Sequence, residues 1–502
     1  MFDHRASPRF FLVGRSLYRA GIILIGLFLL LPGHALAQSG SDPVVIQVMQ
    51  RSVAWYVLAA ALAMLVPAGI MLISIGDMSR RQARNAALGA LAAVGLAMIG
   101  YWATGFALQF GGVGLVYPES DLRDMVWEWS MLSSEWGIGW GMAGLSGWFL
   151  SGAGVTSQAY ALFLAHLPWA ITAALIPVVA LRSRAQAVAT MLLALLMGGV
   201  IYPLAGNWVQ GGGWLNALGR NLTLGHGFVD FGGAGSVFLL VGSFTLAGLA
   251  VWSPRAQEAE DEANQRSLPP AHQPLLAIAG AFMVMVGLLG WLWANPLQMG
   301  VLPDAAVLRG SINLLLAAGG GVVIPFLYTW FVSGYSHAVF SARGVLAGLV
   351  AGLAAGPFIQ PGPALGIGIA AGATVPFVTY LIDALLGLDD RAGAVAATLV
   401  PALLGLLSVG FLADGAFGRG WQMTSLVSHL GVTGQGVTGL LAASGFQPDF
   451  PGQLQAQLIG LLALGLFGFF SGLVCCIPLG LLLHALQRDD RSAHKRINQP
   501  IA

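Results

Sequence analysis

Two aspartates head similar stretches of chain. Asp230 opens Asp230-Phe231-Gly232-Gly233-Ala234-Gly235, and Asp390 opens Asp390-Arg391-Ala392-Gly393-Ala394. A carboxylate just before an apolar helix accepts free N–H groups and sits favourably against the helix dipole. Ordinary N-capping is one reading of both. The other is an internal repeat with a site between its halves. Eight residues further on lie Phe238 and Thr398, about 12 Å deeper at the helical rise. Imidazole passes protons near neutral pH, but no histidine occurs between 227 and 271 or between 338 and 428. His166 and His226 are the two candidates to compensate, each read as a hydrogen-bonded structural residue or a pathway lining. The cysteines, Cys475 and Cys476, are adjacent, which disulfide geometry disfavours, and no metal-ligand spacing is present. Neither a Gly-rich phosphate loop nor a nucleophile constellation is found. No cofactor, metal or enzymatic activity is therefore expected.

The elements that must position these residues are membrane helices. Of 502 residues, 57% are hydrophobic and only 9% charged. A soluble domain carries about 25% charged residues, so this chain lacks the polar residues to cover a water-facing surface. Its apolar residues fall in blocks near the ~20 needed to cross a bilayer, where backbone groups must be paired internally. The 70 glycines suit close helix packing in a bundle. Net charge of +1 gives no argument for nucleic acid.

Residues 1–37 read as a signal peptide, with Arg5, Arg9, Arg15 and Arg19, an apolar stretch from Ile22 to Leu31, and Ala35-Leu36-Ala37 as a cleavage site. The membrane domain spans 38–486, followed by a short cytoplasmic tail at 487–502. Spans are expected near 51–76, 84–110, 157–181, 186–205, 226–252, 273–294, 307–331, 344–358, 364–386, 391–413 and 455–486. The basic residues Arg80, Arg81, Arg84, Arg182, Arg184, Arg255, Arg266, Arg343 and Arg391 and the tail fall on one side if the mature N-terminus is outside. Arg51, Arg123, Arg220, Arg309 and Arg419 are exceptions. This predicts a bacterial inner-membrane protein with a cytoplasmic C-terminus. The long connections 111–156 and 414–454 are expected as outer loops. The first carries Trp127, Trp129, Trp136, Trp140 and Trp148, suited to an interface.

The stretch Ile201-Tyr202-Pro203, then Asn207-Trp208 and Gly211-Gly212-Gly213-Trp214-Leu215, followed by Val229-Asp230-Phe231-Gly232-Gly233, resembles the ammonium transporter (Amt/Rh) family. Pro67-Ala68-Gly69, Gly100-Tyr101, Ile171-Thr172, Leu175-Ile176, Gly290-Trp291 with Asn295, and Leu388-Asp389-Asp390 resemble family positions in the same order. The resemblance implies an all-α polytopic fold of eleven transmembrane helices, in two inverted five-helix repeats plus a final helix. It also implies a homotrimer and a pathway for ammonium or ammonia. Family members recruit the cation outside and pass it along an apolar pore lined by two histidines. Here those positions read Phe238 and Thr398. The recruitment serine falls at Gln298, one gating phenylalanine at Ala294, and the other near Pro168 or Trp169. Trp208 and Asp230 are retained, Asp390 as a structural carboxylate. His166 lies close to the Trp169 gate position. PII-type regulators often bind the family's inner face; the short tail here offers little for that contact. The resulting expectation is an ammonium or ammonia transporter with an altered pore. The alternative is a non-conducting receptor or scaffold binding a small ligand at the outer vestibule.

Overall fold

The computed structural model describes residues 43–117, 121–252 and 270–497. The expected signal peptide and the acidic run at 258–262 lie outside the described residues. Among those described, eleven helices are long and apolar enough to cross a bilayer. They are α1 (Val53–Ser74), α2 (Arg80–Leu115), α3 (Ser157–Leu181), α4 (Ala187–Leu222), α5 (Ala234–Val251) and α6 (His272–Trp293). The rest are α7 (Asp304–Ser333), α8 (Ala338–Phe358), α9 (Pro361–Leu385), α10 (Ala394–Leu412) and α11 (Gly452–Leu481). The helix of α11 continues to Ile497, so it runs through most of the expected tail.

Burial sorts these helices. α3 and α5 are 83% buried, whereas α11 is 22% buried. The first two therefore form the centre, and α7, α9 and α11 present apolar faces outward. Large exposed side chains such as Phe331, Phe377 and Val474 mark those faces. Close approach depends on small residues. A Cβ added at Gly69 in α1 would lie 2.5 Å from the Gly280 carbonyl oxygen of α6, and one at Gly280 would lie 2.5 Å from that of Gly69. No side chain fits there, so the two backbones touch.

Several boundaries differ from the sequence expectation. α5 begins at Ala234 rather than near 226, because Gly225, Gly227 and Gly233 have positive φ and break the helix. α4 is interrupted around Gln210–Gly213 and resumes as Trp214–Leu222. Short π segments occur within α2 (Tyr101–Gly105) and α4 (Met197–Ile201), and they pack on one another. There the Thr104 hydroxyl donates to the Gly199 carbonyl at 2.7 Å. Such bulges re-aim a helix without leaving backbone unpaired.

Both aspartates cap their helices. Asp230 Oδ2 accepts from the N–H of Gly235 (3.1 Å) and Ser236 (2.9 Å) at the start of α5. Asp390 accepts from Ala394 (3.0 Å) and Val395 (2.7 Å) at the start of α10. In each case a left-handed glycine, Gly233 (φ 81°) or Gly393 (φ 65°), lies three residues after the aspartate.

Two loop regions cover one end of the bundle. The first holds an antiparallel hairpin of β1 (Glu128–Ser130) and β2 (Gly141–Gly144); the second a short one of β3 (Ser428–His429) and β4 (Val432–Thr433). Trp127, Trp129, Trp136 and Trp148 are exposed and Trp140 is buried. Arg309, an exception to the charge bias, pairs with Asp414 at 2.7 Å and lies 4.4 Å over the Phe417 ring. It ties α7 to the second loop region, which gives it a structural reason to break the bias.

Candidate substrate pathway

A small cavity opens at the loop-bearing end. Its volume is about 30 Å³, enough to admit a molecule the size of water. Its wall includes the polar side chains of Gln210, Asn216, Asp230, Asn295, Gln298 and Gln422, with Tyr117 and Trp421 and the aliphatic Val209, Leu297 and Val301. Most are already committed to the backbone. Gln298 Nε2 donates to Phe231 O (2.8 Å), and Gln422 Nε2 to Phe228 O (2.9 Å). Gln210 Nε2 donates to the Ser236 hydroxyl at 3.0 Å. Asp230 also accepts from that hydroxyl at 3.1 Å, so its Oδ2 is fully used. Its Oδ1 makes no hydrogen bond within the protein. Asp230 thus borders the cavity and keeps one carboxylate oxygen without a partner within the protein.

Asn295 connects this cavity to His166. Its Oδ1 accepts from the Leu297 N–H at 3.0 Å, which orients the amide and turns Nδ2 toward His166 Nε2 at 3.3 Å. Amide nitrogens face both ring positions, Asn295 at Nε2 and Gln109 at Nδ1, and a neutral ring accepts from only one of them, so the roles depend on the tautomer. Nδ1 also lies 3.1 Å from the Tyr202 hydroxyl. Gln109 Nε2 lies 3.4 Å from that hydroxyl and 3.2 Å from Nδ1, and Tyr101 donates to Gln109 Oε1 at 2.9 Å. All of these side chains are fully or almost fully buried. A polar network of this kind within apolar helices is costly unless every member is paired.

Rings fill the space beyond His166. Its imidazole lies 4.6 Å from Trp169, and Trp169 stacks on Trp291 at 4.7 Å with 14° between planes. Trp291 lies 6.2 Å from Phe238, and its Nε1 donates to Gly232 O at 2.9 Å. Trp169, Trp291 and Phe238 are each at most 1% exposed. Thr398 is also buried, packs against Gly242 one turn beyond Phe238, and returns its hydroxyl to Ala394 O at 2.6 Å.

The structure thus gathers Asp230 and Gln298 at the cavity and His166, Trp169 and Phe238 along one run of contacts. Two other residues sit elsewhere. Trp208 donates to Met142 O at 3.0 Å and packs on Trp214 and Phe467 beneath β2. Ala294 joins Ala59 and Ala165 in a small alanine cluster. Gln109, Tyr202 and Trp291 entered the network without being expected as site residues. Gln109, a polar residue within an apolar span, was a signal available in the sequence. His226, His429 and Asp449, whose ligand atoms all lie within 4.8 Å of one another, gave none, because they are far apart in the chain.

Known proteins share this architecture. Residues 54–497 match the Ammonium Transporter Family. The chain is 28% identical over 405 residues to "Ammonium transporter Amt2" of Archaeoglobus fulgidus, covering 78% of this chain and 80% of that protein. "Ammonium transporter 3" of Dictyostelium discoideum is 24% identical, covering 72% and 75%. Among solved structures, "Sensor Amt Protein" aligns with a TM-score of 0.65 at 21% identity, over 85% of this chain and 92% of that one. The crystal structure of Candida albicans Mep2 aligns with a TM-score of 0.61 at 20% identity, over 85% and 83%. With its match running from the first membrane helix to the end of the last, this chain is a member of the Ammonium Transporter Family.

Proposed function

We propose that this protein moves ammonium or ammonia across a membrane by a route that begins at the Asp230 cavity and uses His166 as its proton acceptor. The family is one of transporters rather than enzymes, and the protein is a multi-pass membrane protein. One observation carries the finer reading: His166 Nε2 lies 3.3 Å from the amide of Asn295, a wall residue of the cavity. An ammonium ion held at Asp230 and Asn295 meets a neutral imidazole one hydrogen bond deeper. Giving up a proton there spares the cation a crossing of the apolar interior, which costs several kcal/mol or more. Neutral ammonia then has only rings and aliphatic groups to pass, once the Trp169–Trp291 stack parts.

That closed stack favours the second reading, a receptor that binds at the cavity and does not conduct. Uptake of ammonium and methylammonium into liposomes decides between the two. Transport predicts flux above background, at least a tenfold loss in His166→Gln, and a gain in Trp169→Leu. Binding to the wild type without flux, unchanged in Trp169→Leu, establishes the receptor. Phe238→His with Thr398→His is expected to change little, because the stack remains in the way.

The charge bias supports placing the loop-bearing end outside a bacterial inner membrane with the C-terminus in the cytoplasm. The matching caps at Asp230 and Asp390 support two inverted five-helix repeats. A homotrimer is the assembly that family membership favours. Contact with a PII-type regulator has less support, resting on membership alone.

A further inference from the structure

We propose that the loop-bearing end holds a divalent transition-metal site of the zinc type, built from His226, His429 and Asp449. The three come from separate parts of the chain: the turn before α5, strand β3, and the residues just ahead of α11. All are buried, His226 completely. Their ligand atoms lie within 4.8 Å of one another, and the two imidazoles pack at 4.3 Å.

His226 is the informative member. Both its ring nitrogens are buried and neither has a hydrogen-bond partner within the protein. Leaving a buried polar group unpaired is unfavourable, and a cation would remove that cost. Its backbone is held in place, with the N–H donating to Gln453 Oε1 at 2.9 Å. The second imidazole is also oriented. His429 Nε2 lies 2.7 Å from Asp449 Oδ2, and Nδ1 lies 2.8 Å from the Ser425 hydroxyl. A second-shell partner on the far nitrogen is what metal-ligating histidines use to fix ring and tautomer. On binding, the His429 ring keeps one proton, which moves to Nδ1 where the Ser425 oxygen accepts it. Nε2 is then free to ligate beside the carboxylate.

Two imidazoles and one carboxylate form a nitrogen and oxygen set that suits zinc and its neighbours over magnesium or calcium. Three protein ligands leave a fourth position for water or another ligand. Such a cation would clamp the turn before α5 to the second loop region and to α11. Gln422, which lines the cavity, lies on that loop region and donates to Phe228, two residues from His226. Occupancy would thus stiffen the lip of the cavity. The site stands independently of whether the protein conducts.

The test uses full-length, tag-free protein in detergent, stripped with EDTA, reloaded with zinc and desalted. One zinc per chain is expected by elemental analysis. X-ray absorption should show nitrogen and oxygen ligands near 2.0 Å with imidazole scattering. His226→Ala and His429→Ala should each retain less than about a tenth of that zinc while eluting as the wild type does. Ser425→Ala should keep the stoichiometry and weaken affinity about 10-fold or more. A folded wild type that binds no zinc overturns the proposal. So do histidine variants that keep their zinc, which would mark an adventitious ion only. If both variants fail to fold, the absorption spectrum of the wild type decides, since a site without two imidazoles is a different site.

Discussion

Asp230 and Asp390 look alike in sequence and do the same local work, yet only Asp230 also borders the cavity. The two functions can be separated. Asp230→Asn and Asp390→Asn should each keep the cap, because an amide oxygen accepts the same N–H groups, and cost only the roughly 0.3–1 kcal/mol of a charge against the helix dipole. Asp230→Asn alone should weaken ammonium binding, because it removes the spare carboxylate charge at Oδ1. Thermal unfolding and binding measured on both variants check this. Equal loss of binding in the two would remove Asp230 from the site. His166 shows the opposite relation between sequence and structure. It is a lone histidine in an apolar helix, and its role emerges from Asn295, Gln109 and Tyr202, which lie on other helices.

At the level of elements, the α1–α6 contact depends on two glycines without room for a side chain. Gly69→Leu should therefore destabilise the bundle by at least the roughly 1–3 kcal/mol of an overpacked core, and by more if the backbones must part. Gly95, where an added Cβ meets nothing within 4 Å, should accept leucine with little change. Denaturation in detergent compares the two. The β1–β2 hairpin carries a pH dependence of its own. Burial raises the Glu128 carboxyl from its usual 4.5 to about 7, partly offset by the Arg220 charge. A folded value above the unfolded one means that folding favours the protonated acid. The stabilisation is then complete below about 4.5 and is lost as the pH rises through about 7. Amide exchange in residues 128–144, corrected for intrinsic rate, should show less protection at pH 8 than at pH 5. Glu128→Gln should abolish that difference.

At the scale of the whole molecule, the eleven candidate spans among the described residues are an odd number, so α1 starts and α11 finishes at opposite ends of the bundle. The exposed Trp127, Trp129, Trp136 and Trp148 and the covering loops belong to one end. Impermeant maleimide applied to intact cells should label Ile138→Cys, which is exposed in the first loop region, and should spare Arg84→Cys, near the start of α2. The reverse pattern would invert the orientation. The central helices α3 and α5 carry His166, Trp169 and Phe238, and α2, α4 and α6 supply Gln109, Tyr202 and Trp291 around them. The most buried elements therefore hold the candidate pathway, and the outward helices supply mainly apolar surface.

The sequence by itself determined the class and the number of spans, and it offered capping as one of two readings of the aspartates. Apolar blocks of bilayer length admit only helices, and Asp-x-x-Gly before such a block is a local signal. Through the resemblance it also led to the expectation that Phe238 and Thr398 stand where the family has paired histidines. What only the tertiary structure decided was contact between distant residues. Asn295 orients His166 through an amide whose other end is fixed by Leu297. Trp169 stacks on Trp291, and Trp208 turns away beneath β2. His226 meets His429 and Asp449 across some two hundred residues of chain. Spacing along a helix encodes which face a residue occupies; it carries no record of which other helix or loop that face will meet.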